Sequence, residues 1–310
     1  MTQKISGVGY SPNGLTGNLS SLDAALARLV QSGCDFAELP AAALHVTVGA
    51  CNNAARLDEV ARICAGHALT YSVHAPIAIN FMDEAHGALH RGVMACSIEM
   101  AAALGAAVMV IHPGRVPPAL DRSDRTRLLA VERDAIRHAA DAAARHGIRI
   151  CMENLNPDRT MMAGVVTSYA LDPRALTEQI AAIDHPAVCG TLDFGHGWLA
   201  SAHLGFDYGA ALREFAPSVG HLHVTDNTGV PMTIQGAAEL EYIAYGMGDL
   251  HLPIGWGSVP YAELLADLPV RAGTRMIAEI KGVYGDTIDA NVAAMRAFQA
   301  RLNEQGRAVA

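Results

Sequence analysis

Short apolar runs alternate with longer helical patterns from one end of the chain to the other, and this alternation constrains the fold more than any other feature. Candidate strands lie at residues 5–11, 35–40, 69–76, 107–114, 149–155, 188–196, 219–227 and 275–282. Helical periodicity is clearest at 22–31, 57–65, 86–104, 125–146, 261–268 and 287–302. Strands that alternate with helices pair in parallel through crossover helices. Eight such repeats close into a (β/α)8 TIM barrel, an α/β fold. An open doubly wound sheet would have fewer strands and usually a glycine-rich phosphate loop after the first, but Pro12-Asn13-Gly14-Leu15-Thr16-Gly17 lacks that spacing. At 310 residues the chain has the length of a barrel with insertions, so a single domain over 1–310 is expected. The longest irregular stretch, 228–259, is expected to be a functional insertion.

Half the residues are hydrophobic (51%) but only 5% are aromatic, which predicts an aliphatic, alanine-rich core. A charged fraction of 17% argues against disorder. The net charge of −9, with no Lys/Arg cluster, disfavours nucleic acid as a partner. The sign-alternating run at 121–127 reads as a solvated loop and helix start. The six cysteines include no CxxC pair, so a reducing, cytoplasmic setting is the expectation. No leader-like apolar segment opens the chain, and no uncharged apolar run approaches the ~18 residues of a membrane span.

Metal-competent residues end strand after strand. His74 closes Tyr-Ser-Val-His, His112 closes Val-Met-Val-Ile-His, Glu153 closes Ile-Cys-Met-Glu, and Asp193 ends Gly-Thr-Leu-Asp with His196 three residues on. His223 lies in His-Leu-His-Val-Thr-Asp, Glu279 ends Met-Ile-Ala-Glu, and the insertion carries the Asp-x-His pair Asp249 and His251. A barrel gathers such residues at the C-terminal ends of its strands. Imidazole and carboxylate together suit Zn, Mn, Fe or Co, and the absence of cysteine disfavours a structural zinc site. A carboxylate at the end of an apolar strand must be paired, protonated or metal-bound. Of the cations, only Lys281 lies near Glu279 in sequence. A lone histidine is more often structural, and His45, His67, His86, His90, His138, His146, His185 and His203 receive that reading, as does His221 beside a candidate ligand. Met161, Met162, Tyr242, Tyr245 and Met247 read as loop packing, while Trp198 and Trp256 divide evenly between pocket wall and core.

The ordered set His-Ala-Pro, Ile-His-Pro-Gly, Glu-Asn-Leu, Leu-Asp-x-Gly-His, His-Val-Thr-Asp, Asp-x-His-x-Pro-x-Gly-x-Gly and Glu-x-Lys-Gly resembles the xylose-isomerase-like barrel superfamily over nearly the whole chain. In its isomerase and epimerase branch the resemblance implies one divalent metal (Mn, Zn, Co, Mg or Fe) on Glu153, Asp193, His223 and Glu279. There the two glutamates exchange a substrate proton through an enediolate and His196 contacts a substrate oxygen; apart from the resemblance, Lys281 beside Glu279 is expected to hold developing charge. The implied substrate is a small keto-sugar, polyol or sugar phosphate, and dehydration is a near variant. The zinc-type AP endonuclease branch implies instead a cluster of two to three metals for phosphoester hydrolysis, adding His74, His112, His196, Asp249 and His251. A non-catalytic scaffold would have little reason to keep these groups. The resemblance and the alanine-rich helices together suggest a homodimer or homotetramer.

Overall fold

In the computed structural model, which describes residues 3–12, 14–234 and 239–308, eight parallel strands close into a barrel. They are β1 (Ile5–Tyr10), β2 (Phe36–Pro40), β3 (Thr70–His74), β4 (Val108–Ile111), β5 (Arg149–Glu153), β6 (Val188–Asp193), β7 (Val219–Val224) and β8 (Thr274–Ala278). Each strand pairs with its sequence neighbour, and β1 closes the ring on β8. The fold is therefore a (β/α)8 TIM barrel. Most strand residues are buried because helices cover the barrel outside and side chains fill it inside.

Register sets the layers of the interior. Asp193 pairs with His223 and Thr191 with His221 across β6 and β7, while Glu38 pairs with Ser72 across β2 and β3. Because side chains alternate along a strand, Asp193 and His223 share the upper layer and Thr191 and His221 the one beneath. That lower layer is unusually polar for a barrel: Glu38, Ser72, Thr191 and His221 are all fully buried.

The outer helices are α1 (Leu19–Gln31), α2 (Ala54–Ala65), α3 (Gly87–Ala103), α4 (Pro118–Ala144), α5 (Pro173–Ile183), α6 (Phe194–Leu204), α7 (Tyr208–Phe215), α8 (Glu239–Tyr245), α9 (Tyr261–Leu264) and α10 (Ile288–Ala308). The sequence reading missed α5, α6 and α7. Their cues are short N-terminal signals rather than long periodic stripes: Asp172, Asp193 and Asp207 each cap a first-turn N–H, and Pro173 follows Asp172. The charged run at 121–127 lies wholly inside α4, which begins earlier than expected because Pro118 presets its first turn. The sixth strand stops at Asp193, where the side chain accepts from His196 N–H at 2.6 Å and starts α6. The 228–259 stretch is less irregular than expected, since it contains α8; its residues 235–238 lie outside the described residues. Among the described residues no helix is long and apolar enough to cross a membrane.

Candidate metal centre

All nine strand-end and insertion residues singled out above converge at the C-terminal mouth, in three groups that adjoin one another. Glu153, Asp193, His223 and Glu279 place one potential ligand atom each within 4.8 Å of one another. His74 and His112 form a second such group with Glu153, and His196, Asp249 and His251 form a third. A pocket of about 350 Å³ opens above them, lined by His74, His112, His196, Asp249, His251 and Glu279 together with Arg115 and Asn156.

Glu153 is the hub and is inaccessible to solvent. Its Oε2 lies 3.2 Å from His74 Nε2 and 3.1 Å from His112 Nε2. Its Oε1 lies 2.9 Å from His223 Nδ1 and 3.4 Å from His196 Nδ1. Burial alone would raise its carboxyl, but the charge and hydrogen bonds of His223, His112 and His74 outweigh burial and hold it well below the usual carboxylate range. Asp193 is equally buried and less well served: Oδ1 caps α6, whereas Oδ2 has no hydrogen-bond partner. Burial, reinforced by Glu153, pushes its carboxyl up to about 6 despite the opposing pull of His196. Asp249 Oδ2 bridges His251 Nε2 at 2.8 Å and His196 Nε2 at 3.2 Å, while Oδ1 is also buried without a partner. Burial opposes ionisation of Asp249, yet the two imidazoles hold its carboxyl well below the ordinary value. An orphaned carboxylate oxygen in a protein interior is costly, and a bound cation would satisfy it.

The imidazoles are oriented in a way that suits such a ligand. His74 Nδ1 faces the Ala75 carbonyl at 2.9 Å, His196 Nδ1 the Asn154 carbonyl at 2.9 Å, and His251 Nδ1 the Glu279 carbonyl at 2.6 Å. His223 uses the opposite nitrogen, Nε2, against Glu38 Oε1 at 2.7 Å. A carbonyl or carboxylate can only accept, so in each ring the anchored nitrogen carries a proton, and the other nitrogen turns to a carboxylate of the ligand groups. Metal-binding histidines are held in this manner. His112 is the exception, because its Nδ1 accepts from an Arg115 guanidinium N–H at 3.3 Å. Burial pushes the His112 imidazole down to about 4, so the ring is neutral with its proton on Nε2, facing Glu153. Arg115 is itself tied to Asp158 at 2.5 Å.

Lys281 lines an adjoining cavity of about 430 Å³ with Arg159, Tyr242, Met232 and Met247, and that cavity shares Asn156 and Asp249 with the pocket above the ligand groups. His221, read as a supporting neighbour, is buried with Nε2 at 2.7 Å from Glu38 Oε2. Of the histidines read as structural, His67, His86 and His185 meet aspartates on the outer surface. Trp198 packs on Tyr208 and Trp256 is largely exposed, so neither is a core residue. Tyr242 packs with Leu250 and Leu252, as a loop-packing residue should. Sequence reasoning missed Glu38, although the cost argument applied to Glu153 covers a carboxylate inside Phe-Ala-Glu-Leu-Pro equally well. It also missed Asn154, whose side chain clamps β6 by accepting from Asp193 N–H and donating to its carbonyl, both at 2.9 Å.

The sequence profile of the family described as xylose isomerase-like TIM barrel matches residues 26–300. A curated relative, an uncharacterised protein of Methanocaldococcus jannaschii, is 26% identical over 172 residues, covering 56% of this chain and 50% of that protein. The match thus spans about half of the relative's length. Among solved structures, a D-tagatose 3-epimerase-like protein superposes with a TM-score of 0.72 at 20% identity, covering 96% of this chain and 99% of that one. An IolI protein solved with a bound zinc atom gives 0.67 at 16% identity, with 96% and 98% covered. The D-psicose 3-epimerase of Clostridium cellulolyticum H10, solved with D-tagatose, gives 0.66 at 14% identity, with 96% and 99% covered. At these identities the likeness establishes the fold.

Proposed function

The chain belongs to the xylose isomerase-like TIM barrel family, and from that premise we propose that it is a divalent-metal-dependent isomerase or epimerase of a small keto-sugar, polyol or sugar phosphate. The observation that carries this reading is the group Glu153, Asp193, His223 and Glu279, with an orphaned Asp193 oxygen and a His223 Nδ1 turned toward three carboxylates. The donor set of three carboxylates and one imidazole fits Mn, Co, Zn, Mg or Fe. When bound, such an ion polarises adjacent carbonyl and hydroxyl oxygens and stabilises negative charge developing between them.

The chain's own residues supply the proton chemistry. Glu279, which lines the pocket, takes a proton from a carbon beside a carbonyl. Glu153, fully buried in the same ligand group, is the second glutamate of that exchange. His196 offers Nε2 to a substrate oxygen and Lys281 supplies positive charge from the adjoining cavity. The pocket volume suits a small molecule. Names of structural relatives favour the same substrate class, as three of them denote ketose epimerases.

A second reading, a multinuclear phosphoester hydrolase, is favoured by the three adjoining ligand groups. Arg115 opposes the full three-metal form, because it holds His112 with the protonated nitrogen toward Glu153. The decisive experiment combines elemental analysis with proton exchange. Near one metal per chain, with solvent deuterium entering a ketose or ketose phosphate in deuterated water, supports the isomerase. Two to three metals, no exchange and cleavage of bis(nitrophenyl) phosphate would replace it with the hydrolase.

A further inference from the structure

We infer that Glu38, outside the candidate ligand set, is a positioning residue that sets which nitrogen of His223 is offered to the metal; the inference rests on the metal reading above but not on the reaction assigned to it. Glu38 stands in β2, across the barrel from His223, and is fully buried. Its carboxylate accepts from His223 Nε2 on one oxygen and from His221 Nε2 and Ser72 Oγ on the other, each at 2.7 Å.

Glu38 keeps a proton on His223 Nε2, because a carboxylate cannot donate. Nδ1 faces Glu153 at 2.9 Å, Glu279 at 3.6 Å and Asp193 at 3.9 Å, and its proton is the one a cation would displace. Without Glu38 the ring could place its proton on Nδ1, which then points an N–H at the carboxylates and offers no lone pair to a cation. His74, His196 and His251 are anchored on backbone carbonyls, which cannot be mutated away, and His112 on the nearby Arg115; His223 depends on a side chain from a remote strand. His221 holds the second oxygen and fixes the plane of the carboxylate. Removing the carboxylate alone leaves His223 Nε2, His221 Nε2 and Ser72 Oγ buried without their acceptor, so Glu38→Leu lowers stability whichever role Glu38 has. A purely structural Glu38 would leave metal affinity intact in the folded variant, whereas a positioning Glu38 would lose it on the same change.

The variants Glu38→Leu and Glu38→Gln separate these cases. The amide of Glu38→Gln can still accept from His223 Nε2 while donating to His221, whose Nδ1 has no partner and can take the proton. Cobalt(II) affinity is measured by competition with a chromogenic chelator, alongside thermal unfolding of the metal-free proteins. The expected order is wild type, then Glu38→Gln with a loss of a few fold, then Glu38→Leu with a loss of about 10–100-fold. Metal-free Glu38→Leu should unfold below wild type, so affinity and not melting temperature separates the two roles. In the cobalt-loaded wild type a paramagnetically shifted imidazole N–H signal from His223 should resist exchange, and it should be lost in Glu38→Leu. Wild-type affinity and an intact shifted signal in either variant overturn the positioning role while leaving the metal reading standing. If Glu38→Leu does not fold, the Glu38→Gln signal and affinity decide. Failure of the wild type to bind cobalt(II) would refute the metal reading and this inference together.

Discussion

Replacing Asp193 by Asn should move stability in opposite directions with and without metal. The side chain has two separable roles. Its Oδ1 caps α6 through His196 N–H at 2.6 Å, and an asparagine oxygen caps equally well. Its Oδ2 is buried and unpartnered, 3.9 Å from His223 Nδ1, among other carboxylates. An amide nitrogen placed there donates to those carboxylates and relieves an unmet polar atom worth about 1–3 kcal/mol. The carboxyl pKa points the same way: pushed up to about 6 by burial, it disfavours the charged form that prevails at neutral pH. Unfolding entropy near 2.1 cal/mol/K per residue gives roughly 0.65 kcal/mol per degree for 310 residues. The metal-free variant should therefore melt about 2–5 °C higher than metal-free wild type. Metal at 1,000 times its Kd adds about 4.1 kcal/mol, or about 6 °C, to the wild type. A variant whose Kd is about 100-fold weaker keeps only about 1.4 kcal/mol, or about 2 °C. Differential scanning calorimetry of both proteins, chelator-treated and then reloaded, reads all four values. A metal-free variant that melts several degrees lower, or a metal increment equal to that of wild type, would refute the reasoning.

Glu153→Gln should abolish turnover in either reading, because Glu153 meets four imidazoles and is shared by two ligand groups; near-normal kcat for any identified substrate would remove it from the site. The double change Asp249→Asn with His251→Ala should leave an isomerase partly active and disable a multinuclear hydrolase, with metal content falling by one ion only in the second case. The metal-free protein should lose stability as pH rises from about 6.5 to about 9. The His74 and His251 imidazoles are desolvated by burial, but Glu153 and Asp249 respectively outweigh this and raise both to about 9 in the fold. Groups with raised values give full stabilisation below the unfolded value of 6.5 and lose it through the folded one. Metal should flatten that slope, and thermal melts across this range test it. Arg115→Ala should free His112 Nδ1 and raise the number of metals bound per chain under excess zinc; an unchanged stoichiometry would mean Arg115 does not restrain that group.

The alternation of apolar runs and helical stripes carried the eight strands and the barrel, because both faces of a parallel strand must be apolar in sequence. The same logic exposed the mouth residues. A carboxylate or imidazole closing an apolar run contradicts its surroundings, and His74, His112, Glu153, Asp193, His223 and Glu279 all do so. The helices α5 to α7 were less legible, since their starts rest on single capping aspartates rather than on long stripes. Lys281, two residues from Glu279 in sequence, lines the neighbouring cavity; the strand ends at Ala278, so its alternation of faces does not govern the residues beyond it. Glu38 was legible in principle as a charge inside Phe-Ala-Glu-Leu-Pro, but its partners were not, for they lie 34, 183 and 185 residues away. The sequence by itself determined which residues are metal-competent and that a barrel brings them to one rim, since composition and periodicity are local properties. Only the tertiary structure decided which nitrogen of each imidazole faces the mouth, that Arg115 engages His112, and that Asp193 keeps an unmet oxygen. Those outcomes depend on contacts between strands remote in sequence, where a hydrogen-bond partner is fixed by distance and direction and leaves no trace in the local pattern.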